Sequence, residues 1–383
     1  MTKLFFLFKT IISLISIYLL IVFKIKHKKI IMFYFPVKIY QDNLFDVINV
    51  LKKRNDILLI YNDASKKEIE QHKNSFFVDF DLLKFIPFNN FFLRDINIFL
   101  TSYVVYVFPP NSKNIYISHD IYDAPIVDKS LEKKIFLRIN KLDYIFLSSK
   151  ISSQYFRSQF KKYKIPSKTK LINTGYLKLD NIKKKLGKNK NKNKNKKILI
   201  APGYSYAFKK YNMYQHLEKI IENLLSKTNE KIIYRPHPLD LTNKGDLKTI
   251  NKILYKFKKN NNFSFDLSVS YFNSFKNSKL LITDLSNTAF TYAFATEQPV
   301  IFFSKNENKL KSDYFSKLYY FKDRKKIGAI VENVSKLLNI IRKNSLNKVH
   351  IYNNITRLRK NRIEFFGSAV KRTTNEINKI NQH

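Results

Sequence analysis

Two histidines stand where the catalytic side chains of α/β proteins are found. His119 follows the apolar run Ile115–Ser118, and His237 follows the run Ile232–Tyr234 within an Arg-Pro-His-Pro motif. Imidazole titrates near neutrality, so a histidine at the end of a strand can act as a general base or as an electrophilic partner of a phosphate. Each histidine alone is also explained as a strand cap held by hydrogen bonds. Because the two occupy matching positions in the two halves of the chain, we expect them to face each other across a cleft and to take part in a reaction.

A second set of residues has the chemistry of phosphate binding. Arg235 carries a planar cation that suits phosphate, and Pro236 and Pro238 fix φ on both sides of the His237 imidazole. Gly203 follows another apolar run and lets the backbone approach a ligand closely. An ordinary turn at Gly203 is the alternative.

The stretch 280–303 has the pattern of a strand, a polar turn, a helix from Ser286 to about Thr296 and a second strand, which is one βαβ unit of a parallel sheet. Ser286 is a preferred N-cap residue, and the free N–H groups at a helix start bind anions. Ligands of open α/β sheets lie at the carboxyl ends of the strands, so Asp284 and Ser286 are predicted to lie at a site for an anion such as phosphate. The alternative is that Asp284 and Ser286 only cap the helix.

Two carboxylates follow the first histidine. Asp120 and Asp123 could orient His119 or contact a hydroxyl group of a substrate. Mg²⁺ bound through these carboxylates and substrate phosphates is the alternative, although the sequence does not itself indicate a metal site or a bound cofactor. The chain has no cysteine, which excludes disulfides, a thiolate nucleophile and Cys-ligated zinc, and it has no G-x-G-x-x-G motif, which disfavours NAD-type chemistry.

The chain is strongly basic, with 71 Lys and Arg residues against 29 Asp and Glu residues and a formal net charge of +42. Such a surplus suits an anionic partner: nucleic acid, acidic membrane lipid or a phosphorylated substrate. The heavy use of Lys, Asn, Ile and Phe also matches an AT-rich coding sequence, in which case much of the charge lies on solvated faces. No zinc finger, RRM-type aromatic motif or GXXG clamp accompanies the charge, so nucleic acid is not an expected partner.

Residues 4–23 are apolar except for one lysine, one threonine and two serines. About 20 such residues suffice to cross a bilayer as a helix. The four lysines within residues 24–29 place the rest of the chain in the cytoplasm by the positive-inside rule. We therefore expect a membrane-anchor helix in residues 1–24 and a protein at the cytoplasmic face of the cell membrane. A helix lying in the membrane interface is the alternative.

Short apolar runs alternate with helix-compatible segments in both halves of the chain, as in parallel α/β sheets whose strands are buried on both faces. The predicted strands are 30–35, 57–61, 75–78, 103–108, 115–118, 144–147 and 171–173 in the first half, and 198–200, 232–234, 263–267, 280–282, 300–303 and 329–331 in the second. The Lys/Asn-rich run 183–197 cannot bury apolar surface and is predicted to be a linker. It separates two Rossmann-like domains, over 25–182 and over 198–345. A basic helical segment over 346–383 follows.

Five motifs of the chain agree in order and spacing with one family. The chain resembles the CDP-glycerol glycerophosphotransferases, which build teichoic acids and related glycerol-phosphate polymers, over roughly residues 100–305. The motifs that carry the resemblance are His119-Asp120, the run Gly-Tyr-Leu-Lys-Leu-Asp from Gly175 to Asp180, Ala201-Pro202-Gly203, Arg235 to Pro238, and Thr283 to Asn287 followed by Gln298-Pro299-Val300. Each motif alone is weak, whereas the ordered set is specific.

The resemblance implies a GT-B fold, in which two Rossmann-like domains with parallel sheets face a cleft. In this fold residues 25–182 are expected to form the acceptor-side domain and residues 198–345 the nucleotide-donor domain. The resemblance also implies transfer of glycerol phosphate, or a similar polyol phosphate, from CDP-glycerol or a related nucleotide donor to a lipid-linked or glycan acceptor in cell-surface polymer synthesis. In this scheme His119 deprotonates the acceptor hydroxyl, while His237 and the helix start at Ser286 bind the diphosphate. Acidic membrane lipid is expected as a further partner.

The chain departs from the family pattern at four positions. Asp120 and Ala124 replace a glycine and a lysine, Asn287 replaces the second serine of the phosphate loop, and Lys178 replaces an arginine. These departures leave the acceptor and the polyol of the donor open. Two other functions fit the same architecture: a GT-B glycosyltransferase that uses a nucleotide sugar for cell-surface polysaccharide, and a membrane-tethered scaffold without activity. The intact histidines and Ser286 argue against the scaffold.

Overall fold

The structure, a computed structural model, describes residues 11–12, 15, 18–19, 22–23, 28–35, 44–61, 75–77, 93–105, 108–121, 123, 129–187, 196–206, 210–241, 244–268, 270–313 and 318–382. The chain forms two compact units. The first contains Met1–His119, Leu131–Asn181 and Glu364–His383, and the second contains Asp120–Ser130 and Ile182–Ile363. Each unit is built on one parallel sheet, so the predicted α/β class with two parallel sheets is confirmed.

The sheet of the first unit has seven strands among the described residues. They are β1 (Lys29–Tyr34), β2 (Ile57–Tyr61), β3 (Ser75–Phe77), β4 (Ile98–Thr101), β5 (Lys113–Ile117), β6 (Tyr144–Leu147) and β7 (Lys170–Asn173). Their order in the sheet is β3-β2-β1-β4-β5-β6-β7, and every neighbouring pair is parallel.

The sheet of the second unit has six strands among the described residues. They are β8 (Lys197–Ile200), β9 (Ile232–Tyr234), β10 (Phe263–Phe265), β11 (Ser278–Thr283), β12 (Val300–Phe303) and β13 (Gly328–Val331). Their order is β10-β9-β8-β11-β12-β13, again with parallel pairs throughout.

The strands alternate with helices along the chain. In chain order these are α1 (Phe45–Leu51), α2 (Lys129–Ile139), α3 (Lys150–Lys162), α4 (Leu177–Gly187), α5 (Tyr214–Lys227), α6 (Lys244–Phe257), α7 (Phe272–Lys276), α8 (Thr288–Thr296), α9 (Glu307–Asp313), α10 (Tyr319–Ile327), α11 (Val334–Arg342), α12 (Lys348–Arg362) and α13 (Ala369–Gln382). A 3₁₀ turn, Pro238–Leu241, follows β9.

The first core lies on both faces of its sheet because the strands are nearly continuous apolar runs. Residues 30–34 of β1 are at most 2% exposed. On one face Ile31 and Phe33 pack in a cluster with α1 and α13, and on the other Met32 packs with Phe99 of β4. The C-terminal helix α13 is therefore part of the core of the first unit.

The second core is closed by amphipathic helices. In α5 the buried residues Leu217, Ile220, Ile221 and Leu224 follow the i, i+3, i+4, i+7 spacing of a single apolar stripe. This stripe packs in one cluster with β8, β9, β11 and β12. The carboxyl ends of these strands are thereby held in fixed positions for the residues that follow them.

The motif from Gly175 to Asp180 attaches α13 to the first unit. Gly175 has φ +89°, and a Cβ at this position would lie 2.8 Å from the carbonyl oxygen of Glu364 and 2.9 Å from the Cβ of Ala369. The Asp180 carboxylate accepts hydrogen bonds from the backbone N–H groups of Gly367, at 2.8 Å, and Ala369, at 2.9 Å. The glycine allows the close approach, and the aspartate caps the start of the helix.

The prediction of a strand over 103–108 is wrong for its described residues, 103–105 and 108, which are not in a strand. The strand at this place in the order is β4, Ile98–Thr101, which is inserted between β1 and β5 with all four residues buried. The Thr101 hydroxyl accepts a hydrogen bond from Tyr103 N and donates one to Tyr103 O, both at 3.1 Å. This turn ends the strand at Thr101.

The predicted membrane-anchor helix over residues 4–23 lies for the most part outside the described residues and stays a prediction. In the part of the chain that the structure describes, no helix has the length and apolar character needed to span a membrane. The predicted Lys/Asn-rich linker also falls largely outside, since residues 188–195 are not described, α4 extends to Gly187 and β8 begins at Lys197.

Gly175→Ala is expected to lower the free energy of unfolding by about 2 kcal/mol or more, because alanine is strained at this positive φ and its Cβ has no room. Urea unfolding of the full chain measures the change. Gly187→Ala is the matched control, since a Cβ there meets no atom within 4 Å and alanine is favoured in a helix. A free energy of unfolding equal to that of wild type in Gly175→Ala would contradict the close packing of α13 against Gly175.

Candidate active site

His119 lies two residues after β5 in the first unit and is half-buried. Its Nδ1 is 2.9 Å from the carbonyl oxygen of Ser102 and 3.1 Å from the hydroxyl oxygen of Tyr116. A carbonyl oxygen only accepts hydrogen bonds, so Nδ1 carries the proton and donates it to Ser102. The neutral ring then has its lone pair on Nε2, which is the form that a general base requires.

The backbone of His119 is held as well as its ring. The buried Tyr176 donates its hydroxyl hydrogen to the carbonyl oxygen of His119 at 2.9 Å. Tyr176 belongs to the Gly175–Asp180 motif, so the motif that attaches α13 also fixes the histidine. The sequence predicted His119 and missed Ser102 and Tyr116 as its partners, because both lie in segments that show only the pattern of core strands.

In the sheet of the second unit β8 and β11 are neighbours. After β8 the strand order continues outward to β9, and after β11 it continues in the opposite direction to β12. The carboxyl ends of such a pair form the topological switch point, where open α/β sheets bind their ligands. Gly203 follows β8 and Asp284 follows β11, and Gly203 N donates a hydrogen bond to Asp284 Oδ1 at 2.8 Å. A Cβ at position 203 would lie 3.0 Å from the same oxygen, so glycine permits the close approach.

Asp284 is 1% exposed and is bonded to three backbone N–H groups. Besides Gly203, Met213 N donates to its carboxylate at 2.9 Å and Leu285 N at 2.7 Å. Burial raises the pKa of the carboxyl group, and the N–H donors oppose this rise. The contacts identify Asp284 as a brace between three segments, and its predicted contact with phosphate stays a prediction.

His237 is half-buried and lies just beyond β9, the other neighbour of β8. Leu239 N donates a hydrogen bond to its Nδ1 at 3.2 Å, and the ring of Tyr204 lies 5.5 Å away between centroids. Because Nδ1 accepts a hydrogen bond, the neutral ring carries its proton on Nε2. His237 is thus set as a hydrogen-bond donor, the form suited to a phosphate oxygen.

A second buried carboxylate holds the loop after β8. Asp240 accepts hydrogen bonds from Ser205 N at 3.1 Å, from Ser205 Oγ at 2.8 Å and from the hydroxyl of Tyr214. Burial raises the pKa of the Tyr214 hydroxyl, and the neighbouring Tyr234 and Asp240 add to the rise. Sequence reasoning missed Asp240, since an aspartate after Pro-Leu has the pattern of an exposed turn.

Arg235 is 2% exposed and is bonded within the protein. Its guanidinium donates to Asp266 Oδ2 at 2.8 Å and to Ser268 O at 2.6 Å, and it lies 4.4 Å above the ring of Tyr271. These contacts hold the strand end that carries His237. The predicted contact of Arg235 with phosphate is not tested and stays a prediction.

The helix predicted to begin at Ser286 begins as α8 at Thr288, with Asn287 at the N-cap position. The hydroxyl of Ser286 still accepts a hydrogen bond from Thr288 N, at 3.2 Å, and Ser286 O accepts one from Ala289 N, at 3.1 Å. The first turn is therefore tighter than an α-turn, which moves the helix start along the chain. Ser286 retains the capping role that its residue type predicts.

Asp120 and Asp123 both lie in the second unit. Asp120 Oδ1 accepts a hydrogen bond from Asn287 Nδ2 at 2.7 Å. Asp123 is 5% exposed and accepts hydrogen bonds from Tyr319 N and Tyr320 N, both at 2.9 Å, at the start of α10. Burial raises the pKa of the Asp123 carboxyl group, and these two N–H donors oppose the rise. Asp123 is thus a helix cap, and the acceptor-side roles predicted for both residues stay predictions.

Among the described residues, no group of three or more His, Asp or Glu side chains is placed to hold a metal ion. Asp123, considered above for Mg²⁺, has its two carboxylate oxygens on the N–H groups of α10. His119 belongs to the first unit and His237 to the second, so the expectation that they face each other also stays a prediction.

The profile of the family described as CDP-glycerol:poly(glycerophosphate) glycerophosphotransferase matches residues 115–377. The chain belongs to this family. A stretch of 132 residues is 31% identical to the minor teichoic acid biosynthesis protein GgaB of Bacillus subtilis (strain 168). That stretch is 34% of this chain and 13% of GgaB, so the chain matches only a small part of that relative's length.

Solved structures share the fold. The wall teichoic acid polymerase TagF matches 97% of this chain and 98% of its own, with a TM-score of 0.63 and 17% identity. The UDP-GlcNAc 2-epimerase of Methanocaldococcus jannaschii, in complex with UDP-GlcNAc and UDP, matches 92% of this chain and 99% of its own, with a TM-score of 0.57 and 15% identity. At these identities the likeness is one of fold.

The two histidines of this glycerophosphotransferase family member are expected to be opposite tautomers when neutral. His119 should carry its proton on Nδ1 and His237 on Nε2, since one Nδ1 faces a carbonyl oxygen and the other an N–H group. Nitrogen-15 NMR of ring-labelled histidine distinguishes the two forms, and His119→Ala and His237→Ala assign the signals. The same tautomer at both positions would contradict the hydrogen bonding described here.

Proposed function

We propose that this chain transfers glycerol phosphate, or a closely similar polyol phosphate, from CDP-glycerol to a hydroxyl group of a lipid-linked or glycan acceptor in cell-surface polymer synthesis. The acceptor oxygen attacks the phosphorus that carries the polyol, the bond from this phosphorus to the oxygen of CMP breaks, and CMP leaves. The acceptor proton passes to His119 Nε2. Membership of the family supports the proposal, as does a TagF structure soaked with CDPG.

The single observation that carries the mechanism is the opposite hydrogen bonding of the two rings. Ser102 O accepts the hydrogen bond from Nδ1–H of His119, which places the basic lone pair of the neutral ring on Nε2. Leu239 N donates a hydrogen bond to Nδ1 of His237, which places the proton of the neutral ring on Nε2, the form that can donate to a phosphate oxygen. Two histidines without such partners would interconvert between tautomers, and each would spend part of its time in the inactive form.

The donor site is proposed at the switch point of the second sheet. The start of α8, with Ser286 and Asn287, presents the positive end of the helix dipole to the diphosphate. Gly203 lets the backbone approach the ligand, and Arg235 and Asp284 add to the phosphate contacts or hold the strand ends that make them. In the proposed reaction the developing negative charge on CMP is stabilised by these donors and by His237.

We also propose that the protein works at the cytoplasmic face of the cell membrane, in contact with acidic lipid. The support is the apolar run over residues 4–23 and the lysines that follow it. Fractionation of cells that express the full chain, beside a chain lacking residues 1–24, tests this. A full chain recovered free of membranes at low salt would contradict the proposal.

The activity is tested by incubating the purified full chain and an acceptor preparation with labelled CDP-glycerol, and separately with labelled nucleotide sugars. Release of CMP from CDP-glycerol together with labelled acceptor supports the proposal. Release of nucleoside diphosphate from a nucleotide sugar would identify the alternative, a glycosyltransferase.

His119→Ala is expected to lower the transfer rate by about 10²–10⁴-fold, the usual contribution of a positioned general base. Transfer to acceptor and unfolding by urea are measured together, because the folded state should be kept. The matched control is His350→Ala, which removes a histidine from an exposed face of α12 and should leave the rate unchanged. Near wild-type turnover of His119→Ala would remove this residue from the mechanism.

His237→Ala and Ser286→Ala are each expected to lower kcat/KM for the donor and to leave the acceptor KM almost unchanged. Loss of one hydrogen bond to a charged group costs roughly 1.5–3 kcal/mol, which is one to two orders of magnitude. The Ser286 effect should be the smaller, since the backbone N–H groups of α8 survive the substitution. Steady-state kinetics with donor and acceptor varied separately measures both effects. An acceptor-only defect in the His237 variant would show that the donor lies elsewhere.

A further inference from the structure

A hydrogen bond joins the side chains of Asp120 and Asn287, which lie 167 residues apart in the chain. Asn287 Nδ2 donates to Asp120 Oδ1 at 2.7 Å. Both residues belong to the second unit. The contact therefore ties two distant segments of this unit together.

The contact acts at the start of the helix proposed to bind phosphate. Asn287 is the N-cap residue of α8, and its carbonyl oxygen accepts a hydrogen bond from Thr291 N at 3.4 Å. Its own side chain makes no capping bond to the helix. The carboxylate of Asp120 sets the orientation of the amide, because the opposite orientation would place the amide oxygen against a carboxylate oxygen.

The segment that carries Asp120 is itself held at a second helix start. Asp123, three residues later, caps α10 through Tyr319 N and Tyr320 N and is nearly fully buried. Asp120 is thus part of an anchored segment, and its hydrogen bond can transmit a constraint to Asn287. A carboxylate near a helix N-terminus is also favoured by the helix dipole.

We propose that Asp120 is a positioning residue of the donor site: it holds Asn287 and, through it, the first turn of α8 in the geometry that binds the donor diphosphate. The inference rests on the proposed function, and it assigns Asp120 to the donor and not to the acceptor. Hydrogen bonds weaken steeply as their angles depart from linearity, so a small rotation of the first turn reduces the hold on phosphate.

The test compares four variants of the full chain with wild type in steady-state kinetics: Asp120→Ala, Asp120→Asn, Asn287→Ala and the double variant Asp120→Ala/Asn287→Ala. Asp120→Ala should raise the donor KM about tenfold, as expected when a hydrogen bond to a charged group is lost, with kcat and the acceptor KM nearly unchanged. Asp120→Asn should have a donor KM close to that of wild type, since the amide oxygen of the new side chain still accepts the hydrogen bond from Asn287. The double variant should be no worse than Asn287→Ala alone, because Asp120 acts through Asn287.

The matched control is a carboxylate–amide pair of the first unit, in which Asn181 Nδ2 donates to Asp46 Oδ2 at 2.9 Å. Asp46→Ala removes the same kind of hydrogen bond away from the donor site and should leave the donor KM unchanged. A raised donor KM in Asp46→Ala would show that general loosening of the fold explains the effect, and would overturn the inference.

Three other outcomes would overturn it as well: an unchanged donor KM in Asp120→Ala, a change confined to the acceptor KM, or additive effects in the double variant. These are distinct from failure of the proposed function, in which wild-type protein neither binds nor turns over CDP-glycerol. Calorimetric titration of wild type with CDP-glycerol and with CMP separates the two cases. If wild-type protein binds CDP-glycerol and Asp120→Ala binds it equally well, the positioning role alone is overturned. If wild-type protein does not bind CDP-glycerol, both the positioning role and the proposed function are overturned.

Discussion

The second unit depends on one buried carboxylate. Asp284 accepts hydrogen bonds from the backbone of Gly203, Met213 and Leu285, and the most distant of these is 81 residues away in the chain. A carboxylate buried without partners would be strongly unfavourable, and the three N–H donors offset that cost. Because the donors belong to the main chain, the constraint acts on the path of the backbone. The segment after β8 has to pass close to the end of β11, glycine allows the approach, and the turn that leads to Ser286 starts from a fixed point.

Most of the fold could be predicted from the sequence, since strands buried on both faces are continuous apolar runs. The fourth strand shows the limit. Two apolar runs, 98–101 and 103–108, flank Ser102, and both have the composition of a strand. Their composition does not say which run pairs with β1 and β5, and the structure places the first one there. Gly175 shows a similar limit: its residue type predicts an unusual backbone, but not that the C-terminal segment fills the space in front of it.

The positions of His119 and His237 beyond the ends of strands could be predicted because the signal is local, a histidine directly after an apolar run. The charged residues could not be assigned in the same way. Arg235 has the chemistry of a phosphate ligand, yet its charge is paired with Asp266. Asp123 has the chemistry of an acceptor-side carboxylate, yet it caps a helix that starts 196 residues later. A buried charge needs a partner, and the partner's place in the chain is set by the tertiary fold.

The net charge of +42 therefore says little about how an anion would be bound in the described part of the second unit. At the carboxyl ends of β9 and β11 lie an imidazole and a helix start, and the proposed donor site uses N–H groups of fixed direction at both. A lysine would bring a full charge, but it loses rotamer freedom when it is ordered around a ligand. N–H groups that are already ordered lose little, and they discriminate by angle and distance. An in-line displacement at phosphorus requires this kind of selectivity, because the phosphate has to be held in one orientation and not merely attracted.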